Sequence, residues 1–150
     1  MRYPQIIKLK ILVMSFLVIL LHASYSHSSD CVASATGNTV VFFQLDRKEY
    51  RKLNELNRSE VDEALYDFQR YAQSVKSRFK AAKIKVLFTS CNTILVDTIG
   101  GKIKYYRKDL DECCGVILVK NGKEPKVMAG VSTDEEILDD ARQYFSTSIP

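Results

Sequence analysis

Residues 113–145 read CCGVILVKNGKEPKVMAGVSTDEEILDDARQYF. Val116 to Val119 is a continuous apolar run rich in β-branched residues, which predicts a buried strand. Asn121-Gly122 follows, a two-residue turn signal because both residue types tolerate positive φ. Val127 to Val131 returns as a second strand. Ser132-x-x-Glu135 reads as a capping box that starts a helix. Ile137, Leu138, Ala141, Tyr144 and Phe145 give that helix one apolar face. The stretch is therefore a β-hairpin closed by an amphipathic helix.

Working back toward the N-terminus, Val40 to Leu45 (VVFFQL) is apolar at consecutive positions. A run with no polar face predicts a central strand covered on both sides. Asp46 to Arg58 is heavily charged, with Tyr50, Leu53 and Leu56 at helical spacing, and reads as a short helix and a loop. Ser59 is an N-cap candidate with Glu60, Asp62 and Glu63 behind it. Val61, Ala64, Leu65, Phe68, Tyr71, Ala72, Val75, Phe79 and Ala82 then form one stripe at spacings of three and four, which predicts a long helix. Ile84 to Phe88 is a strand. Thr93 to Thr98 and Lys102 to Arg107 are strands joined at Gly100-Gly101. An acidic connection, Asp109 to Glu112, leads into the hairpin. Residues 29–38 are small and polar and read as a flexible tail.

The chain has 150 residues, 46% hydrophobic and 27% charged, values that suit one globular domain over residues 39–150. Arg2, Lys8 and Lys10 precede an uncharged apolar run from Ile11 to Leu21. That run is shorter than the roughly 20 residues needed to span a bilayer. It has the length of a signal-peptide core, and small residues at Ser24, Ser26 and Ser28 supply cleavage sites. We read residues 1–28 as a signal peptide and the protein as exported, periplasmic or secreted, without stable membrane insertion after cleavage. An uncleaved N-terminal anchor is the other reading of the same residues. Removing the three leader cations lowers the net charge from +4 to +1. Cations and anions then alternate with no basic patch, so nucleic acid is not expected as a partner. The two histidines are His22 and His27, so the folded part has none. That excludes Ser-His-Asp triads, Cys-His dyads and histidine metal sites within it.

Four cysteines remain, Cys31, Cys91, Cys113 and Cys114. Export favours disulfides, and four cysteines allow three complete pairings. A bond between the adjacent Cys113 and Cys114 forces a strained ring. There is no C-x-x-C pair, either as a redox motif or as a zinc knuckle. No cofactor, metal site or catalytic residue is expected.

The order central strand, long helix, strand, connection, hairpin and final helix resembles the thioredoxin-like fold superfamily. The local wording is nearest in residues 113–145, with the Lys120-Asn121-Gly122 turn and Gly130 ahead of the helix. The resemblance implies an α/β fold: a single thioredoxin-like domain with a mixed central sheet flanked by helices. It departs from the family at the site that matters most. Asp46 to Ser59, where the family carries C-x-x-C, has no cysteine, so dithiol activity does not transfer. Alignment of the turns puts Cys114 where the family has a cis-proline, with its side chain toward the edge loop. The Thr93–Arg107 hairpin replaces the helix that joins the family's two halves. The implied topology gathers Cys91, Cys113 and Cys114 at one sheet edge. Cys91 is then expected to pair with Cys113 or Cys114, with Cys31 taking the other cysteine.

Two functions follow as expectations. The first is a non-catalytic module, stapled by disulfides, that binds a protein or peptide of unknown identity. Its contact surface is expected at Tyr50, Leu53, Asp109, Asp111 and Glu112. The second is an unconventional thiol–disulfide exchange protein that uses Cys91 with Cys113 or Cys114. Asp109, Asp111 and Glu112 oppose thiolate formation there. Lys104, Arg107 and Lys108 offset them if the hairpin folds back.

Overall fold

Along the chain run β1 (Val32–Ala35), β2 (Thr39–Gln44), α1 (Arg47–Arg51), α2 (Glu55–Ala81), β3 (Lys85–Thr89), β4 (Thr93–Thr98), β5 (Gly101–Tyr106), a 3-10 turn at Arg107–Leu110, β6 (Cys114–Val119), β7 (Lys126–Ala129) and α3 (Asp134–Phe145). This computed structural model describes residues 31–110 and 112–150. The leader read at residues 1–28 and the contact candidate Asp111 lie outside the described residues.

β2 organises the rest. It pairs in parallel with β3, Phe42 opposite Phe88, and antiparallel with β6, Phe42 opposite Val116. β6 continues antiparallel to β7, so the strand order is β3-β2-β6-β7. Alternation along β2 sends Val40 and Phe42 to one face and Val41 and Phe43 to the other. On the first face α2 and α3 bury Phe68, Ala72, Val75, Phe79, Ile137, Leu138 and Ala141. Phe42 stacks on Phe88 at 5.0 Å and meets Phe68 edge-on at 6.0 Å.

The second face is covered by a sheet. β1 runs parallel to β4, Val32 opposite Thr93, and β4 runs antiparallel to β5. Ala33, Ala35, Ile94 and Val96 pack from this three-stranded sheet against Val41, Phe43, Ile117 and Val119. The fold is thus mixed α/β with two mixed sheets and three helices. Helices flank the four-stranded sheet on one face, and the second sheet, which the expectation of a single central sheet lacked, covers the other. Residues 32–35 are a strand, which corrects the flexible tail. Their inward residues are alanines, small enough to let a strand lie close, and their backbone groups find partners only in β4. Neither fact shows in local composition.

Two helix starts also move. α2 begins at Glu55, where the Asn54 side chain accepts from Asn57 N at 2.9 Å. Its first turns carry no buried residue, and Leu56 is 72% exposed, so no apolar stripe marks them. The capping box of α3 is Thr133 with Glu136, one residue beyond the expected pair. In the β6–β7 turn Gly122 takes φ 72 and Asn121 stays at negative φ. The Asn121 side chain instead accepts from Gly37 N at 3.1 Å, tying this turn to the β1–β2 connection.

Gly115 in β6 sets one close approach. A Cβ there would stand 2.5 Å from Phe43 Cζ and would also meet Met128 O. Gly115→Ala is expected to lower stability by about 1–3 kcal/mol through overpacking. Denaturant titration checks this, and an unchanged midpoint would contradict the packing described.

Candidate functional site

The registers bring one set of strand ends together. Gln44 at the end of β2 faces Cys114 at the start of β6, and Phe43 faces Thr89 at the end of β3. In the other sheet Thr93 faces both Val32 and Tyr106. Two backbone hydrogen bonds knit the loops at this edge: Leu45 N–H donates to Cys113 O at 2.7 Å and Arg107 N–H to Asn92 O at 2.8 Å. All four cysteines lie at or next to these strand ends.

Their pairing differs from the expectation. Cys31 and Cys91 form the disulfide, with Cα atoms 5.1 Å apart. Cys113 and Cys114 are free thiols. The expected bond from Cys91 to Cys113 or Cys114 is therefore absent, and so is the bond of Cys31 to the remaining one. Two features account for this. Cys31 directly precedes β1, and the parallel β1–β4 register, with Val32 opposite Thr93, brings it opposite Asn92 and so next to Cys91. Cys91 also packs on the sheet-covered side with Phe43 and Ile117, whereas Cys114 packs on the helix-covered side with Val116 and Leu118. The β2–β6 layer separates them. Cys114 is fully buried there, which overturns the expectation that its side chain faces the edge loop. The loop closed by the disulfide spans a sequence separation of 60, worth about 4 kcal/mol in lost unfolded-chain entropy.

The free thiols are pre-positioned. Their Sγ atoms lie 3.6 Å apart. Cys113 is held by Leu45 through its carbonyl, and Cys114 O accepts from Gly130 N at 2.8 Å. Cys113 is half-buried and Cys114 fully so. The Cys114 S–H stabilises a Cys113 thiolate and brings that thiol down to about 7, against burial and the Glu112 carboxylate, with help from Arg107. The same contact, followed by burial and the neighbouring charge, pushes the Cys114 thiol far up. The two adjacent cysteines thus separate into an accessible thiolate former and a buried, protonated partner.

Arg107 acts on both thiols through its charge. It is 3% exposed, its guanidinium lies 5.6 Å from the Phe43 ring centre, and its Nε–H has no hydrogen-bond partner. Its positive charge favours the thiolate at both cysteines. The missing Cβ of Gly115 lets Phe43 lie against β6, and Arg107 rests on that ring. Asp46 is equally buried at this edge. Its Oδ1 caps α1 by accepting from Lys48 N and Glu49 N, and its Oδ2 has no partner.

Tyr50 and Leu53 are half-buried, and the Tyr50 hydroxyl donates to Asp62 Oδ1 of α2 at 2.8 Å. Asp109 and Glu112 are exposed. Sequence reasoning undervalued Arg107, because nothing local distinguishes it from the exposed Lys104 and Lys108. Among the described residues no three His, Cys, Asp or Glu side chains gather as a metal site, and no helix is long and apolar enough to cross a membrane. Compared with family models, curated proteins and solved structures, the chain matches none.

The pH dependence of alkylation tests the site. An unperturbed thiol ionises near pH 8.5. Cys113 is expected to react with iodoacetamide along a curve with its midpoint at about 7, rising as the thiolate forms. Cys114 is expected to stay unreactive in the native state across that range. A midpoint for Cys113 near 8.5 would contradict the hydrogen-bonded pair.

Proposed function

We propose that this chain is an exported thioredoxin-like domain that engages a protein or peptide partner through the Cys113–Cys114 edge, by thiol–disulfide exchange. The observation that carries the reading is the pair of free thiols 3.6 Å apart, one accessible and one buried. Exchange needs an accessible sulfur that ionises near neutral pH and a second sulfur within reach to resolve the mixed disulfide. Cys113 fills the first role and Cys114 the second. Cys91 is committed to Cys31 and takes no part.

The fold supports the thioredoxin-like part of the reading. β2, β3 and β7 run the same way and β6 runs against them. Two helices cover one face. The start of the reversed strand meets the ends of the parallel ones, which is the edge where that resemblance puts activity. The departures are the second sheet on the opposite face and the cysteine-free stretch after β2. Export is supported by the leader cations and the apolar run from Ile11 to Leu21.

In the exchange, the Cys113 thiolate attacks one sulfur of a partner disulfide. A Cys113–partner bond forms as the partner's S–S bond breaks and its second sulfur leaves as a thiolate. Cys114 then gives up its proton and attacks Cys113, releasing the partner as a dithiol. The domain ends with a Cys113–Cys114 bond, oxidised by two electrons. That eight-membered ring is strained, so the oxidised form is readily reduced by an external dithiol.

Glutathione disulfide tests this. The Cys114→Ser variant is expected to accumulate a glutathione adduct on Cys113, whereas the parent releases glutathione and passes on. Cys113→Ser is expected to slow the reaction by roughly an order of magnitude or more. If Cys113→Ser reacts like the parent, exchange is excluded and the domain is a non-catalytic binding module.

A further inference from the structure

We propose that Cys113 and Cys114 also form a chelating site for trivalent arsenic of the arsenous-acid class. The inference shares the thiol pair with the exchange reading but rests on its separate geometry.

The sulfur separation selects the ligand. At 3.6 Å the two Sγ atoms stand as unbonded thiols, since a disulfide would hold them at about 2.05 Å. They are well placed for a single bridging atom. An atom that bonds thiolate sulfur at about 2.3 Å spans this gap with an S–X–S angle near 100°. That angle suits a pyramidal three-coordinate centre. A linear two-coordinate ion with similar bonds needs sulfurs about 4.6 Å apart, so linear mercury(II) and copper(I) thiolates do not fit without movement. A tetrahedral ion needs two further ligands. Among the described residues no third thiol, carboxylate or imidazole joins the pair. The site therefore offers two sulfurs and leaves one position of a pyramidal centre for an exogenous group. Trivalent arsenic bonded to two thiolates and one hydroxide has that shape and that ligand preference.

The surroundings suit the reaction. Cys113 is half-buried, so the ligand can arrive from solvent at that sulfur first. Leu45 and Gly130 bind the carbonyls of Cys113 and Cys114, which holds the backbone that spaces the two sulfurs. The Arg107 charge favours the thiolate at both sulfurs. No electron transfer is required. As(OH)3 reacts with two thiols to give a dithiolate As–OH and two waters. Two As–O bonds break, two As–S bonds form, and each thiol proton leaves with a hydroxide.

Arsenite added to the full chain, with its Cys31–Cys91 disulfide intact, is the probe. Native mass spectrometry is expected to show one arsenic per parent chain, with two thiols lost to alkylation and the mass consistent with two waters released. Cys113→Ser and Cys114→Ser are each expected to bind arsenite at least about 100-fold more weakly, because the second bond is intramolecular only when both sulfurs are present. Circular dichroism of each variant reports folding. Because Cys114 lies in the core, a second test uses the parent with Cys113 alkylated, which is also expected to lose arsenite. Parent affinity within a few-fold of a folded single-thiol variant, or of the alkylated parent, would overturn the proposal. Failure of glutathione exchange with arsenite still bound would remove the exchange reading and leave this site standing, and the reverse result would do the opposite.

Discussion

A strand with no polar face must be covered twice, and β2 imposes that requirement on everything around it. Val40, Val41, Phe42 and Phe43 are all buried to within 1%. Each such side chain contributes roughly 1.5–3 kcal/mol when withdrawn from water. One face takes the long helix and the final helix. The other takes the small three-stranded sheet. Remove either cover and two of the four side chains return to solvent.

This layering also sorts the cysteines. Cys114 opens β6 and packs on the helix side, while Cys91 leads into β4 of the covering sheet and packs on the sheet side. The disulfide therefore staples the second sheet, from Cys31 ahead of β1 to Cys91 ahead of β4. The thiols of Cys113 and Cys114 are left at the same edge with no third cysteine to consume them. Arg107 bridges the two regions. Its backbone binds Asn92 beside the disulfide, and its side chain lies on Phe43 and charges the thiol pair.

Much of the fold was legible because it is written in local patterns. The VVFFQL run, the stripe from Phe68 to Phe79 and the Gly100-Gly101 hairpin each predict their element from neighbouring residues, and Asn121-Gly122 marks the β6–β7 hairpin, although residues 120–125 make a longer connection than the expected two-residue turn. β1 was not legible. VASA has too little apolar character to announce a strand, and its partner lies some sixty residues away. That single omission carried the cysteine error with it, because the Cys31–Cys91 contact exists only through the β1–β4 pairing. The site was legible in its sulfurs and in the edge that gathers them. Arg107 was weighed only as one of three cations, since burial of a charged side chain depends on the tertiary packing of Phe43 and Gly115.

The account stands on the division between one closed disulfide and one open thiol pair. Peptide mapping of the unreduced native protein, alkylated before digestion, measures that division directly. The account predicts a linked pair of peptides carrying Cys31 and Cys91, and a separate peptide in which Cys113 is alkylated and Cys114 becomes so only after unfolding. A linked pair joining Cys91 to Cys113 or Cys114 would contradict it.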